Sequence, residues 1–322
     1  MKALITGGAG FIGSHLCAYL LSQGHAVAAI DDLSSGRLEN LQACIGRPHF
    51  QLAIDTITNE VVMDRLASEC DAIFHLAAAV GVEMIVRSPV HTIETNIMGA
   101  AAVFRVANRY RRKVLLTSTS EIYGKSDKLP FAEDDDRVLG PTTRSRWSYS
   151  TSKAVDEFLA LAYHKERGLP VVIVRLFNTI GPRQTGRYGM VVPRFVAQAL
   201  AGEPLTVYGD GSQSRCFADV RDVVRAIVTL AACPQANGQI FNLGSTREVR
   251  IADLARTVIA LTGSRSEIQY VPYERAYEAG FEDMQRRAPD THKVEALIGW
   301  RATTPLEDSI RAVAEELRTA GS

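Results

Sequence analysis

Residues 6–14 read TGGAGFIGS. They follow the apolar run KALIT (2–6) and lead into the helical pattern SHLCAYLLSQG (14–24), which ends at Gly24. A buried strand that turns through glycines into a helix opens a βαβ unit. Such a unit commits the chain to a parallel sheet with right-handed crossovers. Gly8, Gly10 and Gly13 have the G-x-G-x-x-G spacing, and Gly7 adds a second register. Glycines allow the tight turn and let the backbone approach a pyrophosphate. The helix N-terminus then offers unpaired N–H groups and a partial positive charge. Gly7, Gly10, Phe11, Ile12 and Gly13 are therefore expected to line a dinucleotide site.

The next strand, AVAAID (26–31), ends on Asp31, roughly 20 residues after the glycines, where a carboxylate accepts from a ribose hydroxyl. It would also repel a 2′-phosphate, so NAD is expected rather than NADP. Strand-like runs continue at 49–55, 72–77, 113–118 and 171–178, with helical patterns at about 59–69, 89–110 and 149–167 between them. The expected fold is α/β: a Rossmann-type doubly wound parallel sheet with a smaller mixed α/β substrate-binding domain. Residues 1–177 form the nucleotide domain, with 219–243 returning to it. Residues 178–218 and 244–322 form the second. Asp55 at the third strand end is expected at the adenine edge. Leu76, Ala77 and Ala78 are small or apolar enough for a cofactor to lie against them. Arg37 is a candidate phosphate contact, and Asn96 joins the cofactor set.

Charge and cysteines exclude other classes. Lys plus Arg and Asp plus Glu both number 36, so no basic excess points to nucleic acid. The five cysteines are odd in number and lack C-x-x-C spacing, which fits free thiols in a reducing compartment. The seven histidines show no metal spacing. The long apolar stretch AIFHLAAAVGVEMIV is broken by His75 and Glu83, so no membrane span is expected. No signal-peptide layout opens the chain, and the expected compartment is the cytoplasm. The acidic run EDDD (133–136) reads as a solvated loop.

The chemistry concentrates in TSTSEIYG (117–124) and SRWSYSTSK (145–153). Tyr149 and Lys153 are four apart, which puts both on one helix face. An ammonium beside the phenol favours the phenolate, as would a positive nicotinamide, and a lowered phenol pKa makes a base for a substrate hydroxyl. Thr119, at a strand end, can bond the same oxygen.

TGGAGFIGS, HLAA, STSEIYG, YSTSK and RLFNTIGPR together make the chain resemble the extended short-chain dehydrogenase/reductase family of nucleotide-sugar enzymes. The resemblance covers nearly the whole chain. It implies bound NAD, a nucleoside-diphosphate sugar and transient oxidation at sugar C4, with Tyr149, Lys153 and Thr119 as catalytic residues. The 4,6-dehydratases, which expel the C6 hydroxyl as water across C5–C6, carry adjacent Asp and Glu after the Thr. Here Ser120 takes the Asp position, and Glu121 follows. Thr119-Ser120-Glu121, RWSY (146–149) and Arg287 in an R-x-P context are similar to the branch that decarboxylates UDP-glucuronate. The resemblance implies catalytic roles for Glu121 and Arg287, and a UDP-sugar held by Ser120, Asn178, Arg183, Tyr208, Arg215 and Arg287. A UDP-sugar 4-epimerase is the alternative. The Gly-rich stretch 186–195 is expected to cover the site. Helices near 94–110 and 149–167 are expected to pair with those of a second copy as a four-helix bundle, giving a homodimer.

Overall fold

The computed structural model describes residues 1–81, 88–186, 190–273 and 284–320. Strands β1 (Lys2–Thr6), β2 (Ala26–Asp31), β3 (Phe50–Ile54), β4 (Ala72–His75), β5 (Lys113–Thr119) and β6 (Val171–Leu176) alternate with helices. These are α1 (Phe11–Ser22), α2 (Glu60–Ser68), α3 (Pro89–Tyr110) and α4 (Arg146–Arg167). Four short strands follow in order: β7 (Thr179–Ile180), β8 (Leu205–Tyr208), β9 (Ser214–Cys216) and β10 (Ala218–Asp219). Helices α5 (Val191–Ala201) and α6 (Val220–Ala232) interleave with them. β11 (Gln239–Leu243), β12 (Glu248–Arg250), α7 (Ile251–Thr262), β13 (Ile268–Val271), α8 (His292–Ile298) and α9 (Leu306–Ala320) complete the chain.

One sheet has seven strands in the order β3-β2-β1-β4-β5-β6-β11, every pair parallel. Its strands are the Val/Ile/Leu runs of the sequence, and the central ones are buried on both faces. One face packs against α1 and α6 through Leu16, Leu20, Val223 and Ile227. The other packs against α2, α3 and α4 through Met63, Leu66, Phe104 and Ala160. The strand order reverses between β1 and β4, and this leaves a crevice at their carboxyl ends. A separate apolar core joins α5, β8, α7 and α9 through Phe195, Val207, Leu254 and Ile310. Asp219 accepts from Ser309 Oγ at 2.6 Å, and Asp222 accepts the Thr304 N–H at 2.8 Å, so α6 is tied to the residues before and within α9.

Several local expectations shift. α1 starts at Phe11, because Gly10 already caps it in an extended conformation. α4 starts at Arg146 rather than near 149, which brings Arg146 onto the helix that carries Tyr149. β4 stops at His75, because the Thr6 hydroxyl accepts the Leu76 and Ala77 N–H groups at 3.2 Å. The acidic run is only half solvated. Glu133 accepts the Asn242 N–H at 2.8 Å, and Asp135 accepts the Ala132 N–H at 2.8 Å. Of the expected cover, residues 187–189 lie outside the described residues, and 191–195 form the start of α5.

Candidate active site

The crevice is a cleft of about 1690 Å³. Its first wall is the turn after β1. Gly7 has φ +70°, and a Cβ there would lie 2.8 Å from the Ala77 nitrogen. A Cβ on Gly13 would lie 2.0 Å from the Gly7 carbonyl oxygen, so only glycine lets α1 close onto the turn. Gly7, Gly10, Phe11, Ile12 and Gly13 all line the cleft. Asp31 Oδ2 accepts the Ala9 N–H at 2.9 Å, and Oδ1 accepts the Leu33 N–H at 2.9 Å. Burial pushes its carboxyl up, and these two donors oppose that. Arg37, Asp55, Leu76, Ala77 and Ala78 continue the wall.

One residue stands elsewhere than expected. Asn96 does not line the cleft; it lies behind it, almost fully buried. Its Oδ1 accepts the Ala79 N–H at 2.8 Å and its Nδ2 donates to Ser152 Oγ at 3.1 Å, so it braces the β4 loop against α4. Arg183 sits beside α1, where its charge reaches His15 and Cys17. It lines the same cleft as the residues expected to hold the sugar. Its main-chain N–H donates to Glu316 Oε2 at 2.6 Å, and its Nη1 is buried with no hydrogen-bond partner among the described residues. A buried guanidinium donor beside a helix N-terminus suits a phosphate oxygen. The glycine cradle, the oriented Asp31 carboxylate and this donor together fit a dinucleotide.

β5 ends at Thr119, and a 3-10 turn over Ser120–Tyr123 carries Ser120 and Glu121 into the cleft. The Tyr149 phenol and the Thr119 hydroxyl line the same cleft. The side chains around the phenol do not by themselves give the lowered pKa expected beside a positive nicotinamide. Burial pushes it well above the tyrosine range, the Glu121 and Asp156 carboxylates push it further, and Thr119 and Arg287 pull against them. Lys153 lines the cleft, but its Nζ is 2.7 Å from Asp156 Oδ2, which offsets the charge the phenol was expected to feel.

Glu121 is buried between two guanidinium groups. Arg146 Nη1 donates to Oε2 at 3.0 Å and Nη2 to Oε1 at 3.4 Å. Arg287 Nη1 stands 3.6 Å from Oε1. Arg287 is oriented in turn by Asn178 Oδ1 at 3.0 Å and Ser120 Oγ at 3.5 Å. Arg146 was not singled out from the sequence. Its signal was its place three residues before Tyr149, which puts it on the same helix face. Further along the cleft, Arg194 lies 4.3 Å from the Tyr208 ring centroid, and Arg215 Nη1 donates to the Ser214 carbonyl at 2.8 Å. Tyr208, Arg215 and Arg194 all line the wall there. Among the described residues no cluster of metal-ligating side chains occurs.

Comparison with known proteins agrees with this geometry. The family described as GDP-mannose 4,6 dehydratase matches residues 4–313. The UDP-N-acetyl-alpha-D-glucosaminuronate decarboxylase of Bacillus cytotoxicus is 40% identical over 98% of this chain and 98% of its own. UDP-glucuronic acid decarboxylase 1 of Danio rerio is 38% identical over 96% of this chain and 71% of its own. The crystal structure of UDP-glucuronic acid 4-epimerase from Bacillus cereus, in complex with UDP-glucuronic acid and NAD, superposes with a TM-score of 0.90. It is 27% identical and covers 99% of this chain and 100% of its own. By its sheet order, its glycine turn and a match that spans almost its whole length, the chain belongs to the GDP-mannose 4,6 dehydratase family of extended short-chain dehydrogenases/reductases.

Proposed function

We propose that this chain is an NAD-dependent decarboxylase of a UDP-hexuronate, UDP-glucuronate first. The observation that carries the reading is the Arg146–Glu121–Arg287 cluster, held in the same cleft as Thr119 and Tyr149. The decarboxylase relatives, near 40% identical over almost the whole chain, support it.

The glycine turn, Asp31, Arg183 and Lys153 would hold NAD, which takes a hydride from sugar C4 and later returns it. With the positive charges of Lys153 and of the nicotinamide favouring its ionised form, the Tyr149 phenolate would accept the C4 hydroxyl proton, and Thr119 would hold the same oxygen. The C4 ketone makes the sugar a β-keto acid. The bond from C5 to its carboxylate then breaks, carbon dioxide leaves, and the electron pair moves into the C4 carbonyl. The Tyr149 and Thr119 hydroxyls stabilise the resulting enolate oxygen. C5 then takes a proton, and hydride return gives a UDP-pentose. A guanidinium bound tightly to the departing carboxylate would stabilise the ground state and oppose its loss. Arg287 is already engaged with Asn178 and close to Glu121, so it positions the carboxylate and leads a proton to C5. Glu121 keeps the pocket from binding that carboxylate too strongly. Ser120 cannot act as the acid for loss of water from C6. Tyr208 and Arg215 would hold the uridine and the diphosphate.

Four of the five free thiols are buried, which fits a reducing compartment such as the cytoplasm. Val90, Met98 and Phe158 stand exposed on α3 and α4, Phe158 at 67%. These two helices pack together, and a second copy would cover this apolar face as a four-helix bundle. Phe158→Asp is then expected to give a monomer in light scattering; an unchanged mass would place the interface elsewhere.

Incubation with UDP-glucuronate and with UDP-N-acetylglucosaminuronate tests the activity. Gas release with a UDP-pentose product is expected from one or both. The likeness to a 4-epimerase structure supports a second reading. UDP-galacturonate without gas would establish that one and end the first.

A further inference from the structure

Asp156 lies one turn beyond Lys153 on α4, outside the cleft lining, and takes no part in the chemistry above. Lys153 and Asp156 are 2% and 1% exposed, and their 2.7 Å ion pair lies behind the base. The pair is incomplete: Asp156 Oδ1 is buried with no hydrogen-bond partner among the described residues. A buried carboxylate with one bare oxygen costs stability, and the bond to the buried ammonium offsets part of that cost. Among the described residues, the hydrogen bond that the Asp156 side chain makes is the one to Lys153.

We propose that Asp156 is a positioning residue that acts through Lys153, holding its ammonium and setting how much positive charge reaches the Tyr149 phenol. This rests on the reading of Tyr149 as the base.

Other charges also face the group. Glu121, from the turn after β5, adds negative charge, and Arg287, from the segment before α8, adds positive charge. Arg146, on α4 itself, is taken up by Glu121. Glu157, next to Asp156, is committed to Arg175 at 2.7 Å. His75 on β4 stands near Lys153, but burial pushes its imidazole down to about 3, so it is neutral near pH 7. Asp156 is thus the carboxylate that binds Lys153 directly, and its charge is among those that push the phenol up. Removing a negative charge favours the phenolate, so the phenol should titrate at lower pH without it.

The test is spectroscopic and needs no sugar. Phenolate absorbance of the full-length NAD-loaded protein is titrated as the difference from its Tyr149→Phe counterpart. Asp156→Asn is expected to lower the Tyr149 midpoint by about one pH unit, the order of effect of one nearby charge in partly buried surroundings. Asp156→Glu, which keeps the charge, is expected to restore the wild-type midpoint. Asp156→Ser, which removes the charge and leaves room for water beside the ammonium, carries the same prediction as Asp156→Asn should the amide variant not fold. A midpoint unchanged or raised on loss of the charge overturns the proposal. A lowered midpoint in a protein that releases no gas from either uronate would keep the proposal and refute the decarboxylase reading instead.

Discussion

The wall built by residues 6–13 and Asp31 presents backbone and one oriented carboxylate. The wall across from it presents Glu121, Arg146 and Arg287, drawn from three distant segments. On the first wall, geometry comes from missing side chains: Gly7 and Gly13 leave the room in which the turn after the strand and the helix approach each other. On the second, geometry comes from charged side chains that hold one another in place. A backbone wall serves any reaction that borrows a hydride. On the proposed reading, the charged wall decides what becomes of the ketone once it forms. A family with one fold can therefore keep the first wall and change its chemistry on the second.

The largest expected effect lies on the backbone wall. A methyl group at Gly13 must displace the Gly7 carbonyl, and forced overpacking of this kind costs about 1–3 kcal/mol or more. Gly13→Ala should therefore weaken NAD binding up to about a hundredfold by calorimetry, with UDP binding unchanged. Unaltered NAD affinity would mean that this wall tolerates side chains and that the contrast is false. A smaller effect is expected from Arg146, which supports Glu121 on the charged wall. Arg146→Met removes a two-point, charge-assisted pair worth about 1.5–3 kcal/mol. Glu121 would then turn to Arg287 and hold it off the substrate. Gas release should fall at least tenfold in kcat while NAD affinity stays the same, and Arg146→Lys should recover part of the loss. A joint fall in both quantities would show that the two walls are not separable.

How much of this was legible in the sequence follows the same division. The glycine turn, Asp31 and the Tyr149/Lys153 pair are contiguous or helix-spaced, so local rules reach them. Thr119 was legible as a strand end, because β5 is an unbroken apolar run. The second lobe was placed only coarsely. Its strands are two to four residues long and pair across large gaps in sequence, as β8 does with β13. The pairing of Glu121 with Arg146 and Arg287 joins segments that only the tertiary fold brings together. Asn96 looked like a cofactor contact and proved to be a brace, because spacing does not reveal which way a buried amide points. The phenol was misjudged for a related reason. Asp156 sits three residues past Lys153, visible in the sequence, but its effect depends on both groups being buried.

The central claim is that Glu121 and its two arginines convert a transient ketone into a lost carboxylate. Glu121→Gln tests it most directly when NADH absorbance and carbon dioxide are followed together in a single turnover with UDP-glucuronate. The account predicts that NADH appears and persists while gas release falls by roughly a hundredfold, in line with loss of one charged group acting at the reacting centre. Gas at the wild-type rate, or loss of NADH formation along with the gas, would contradict it.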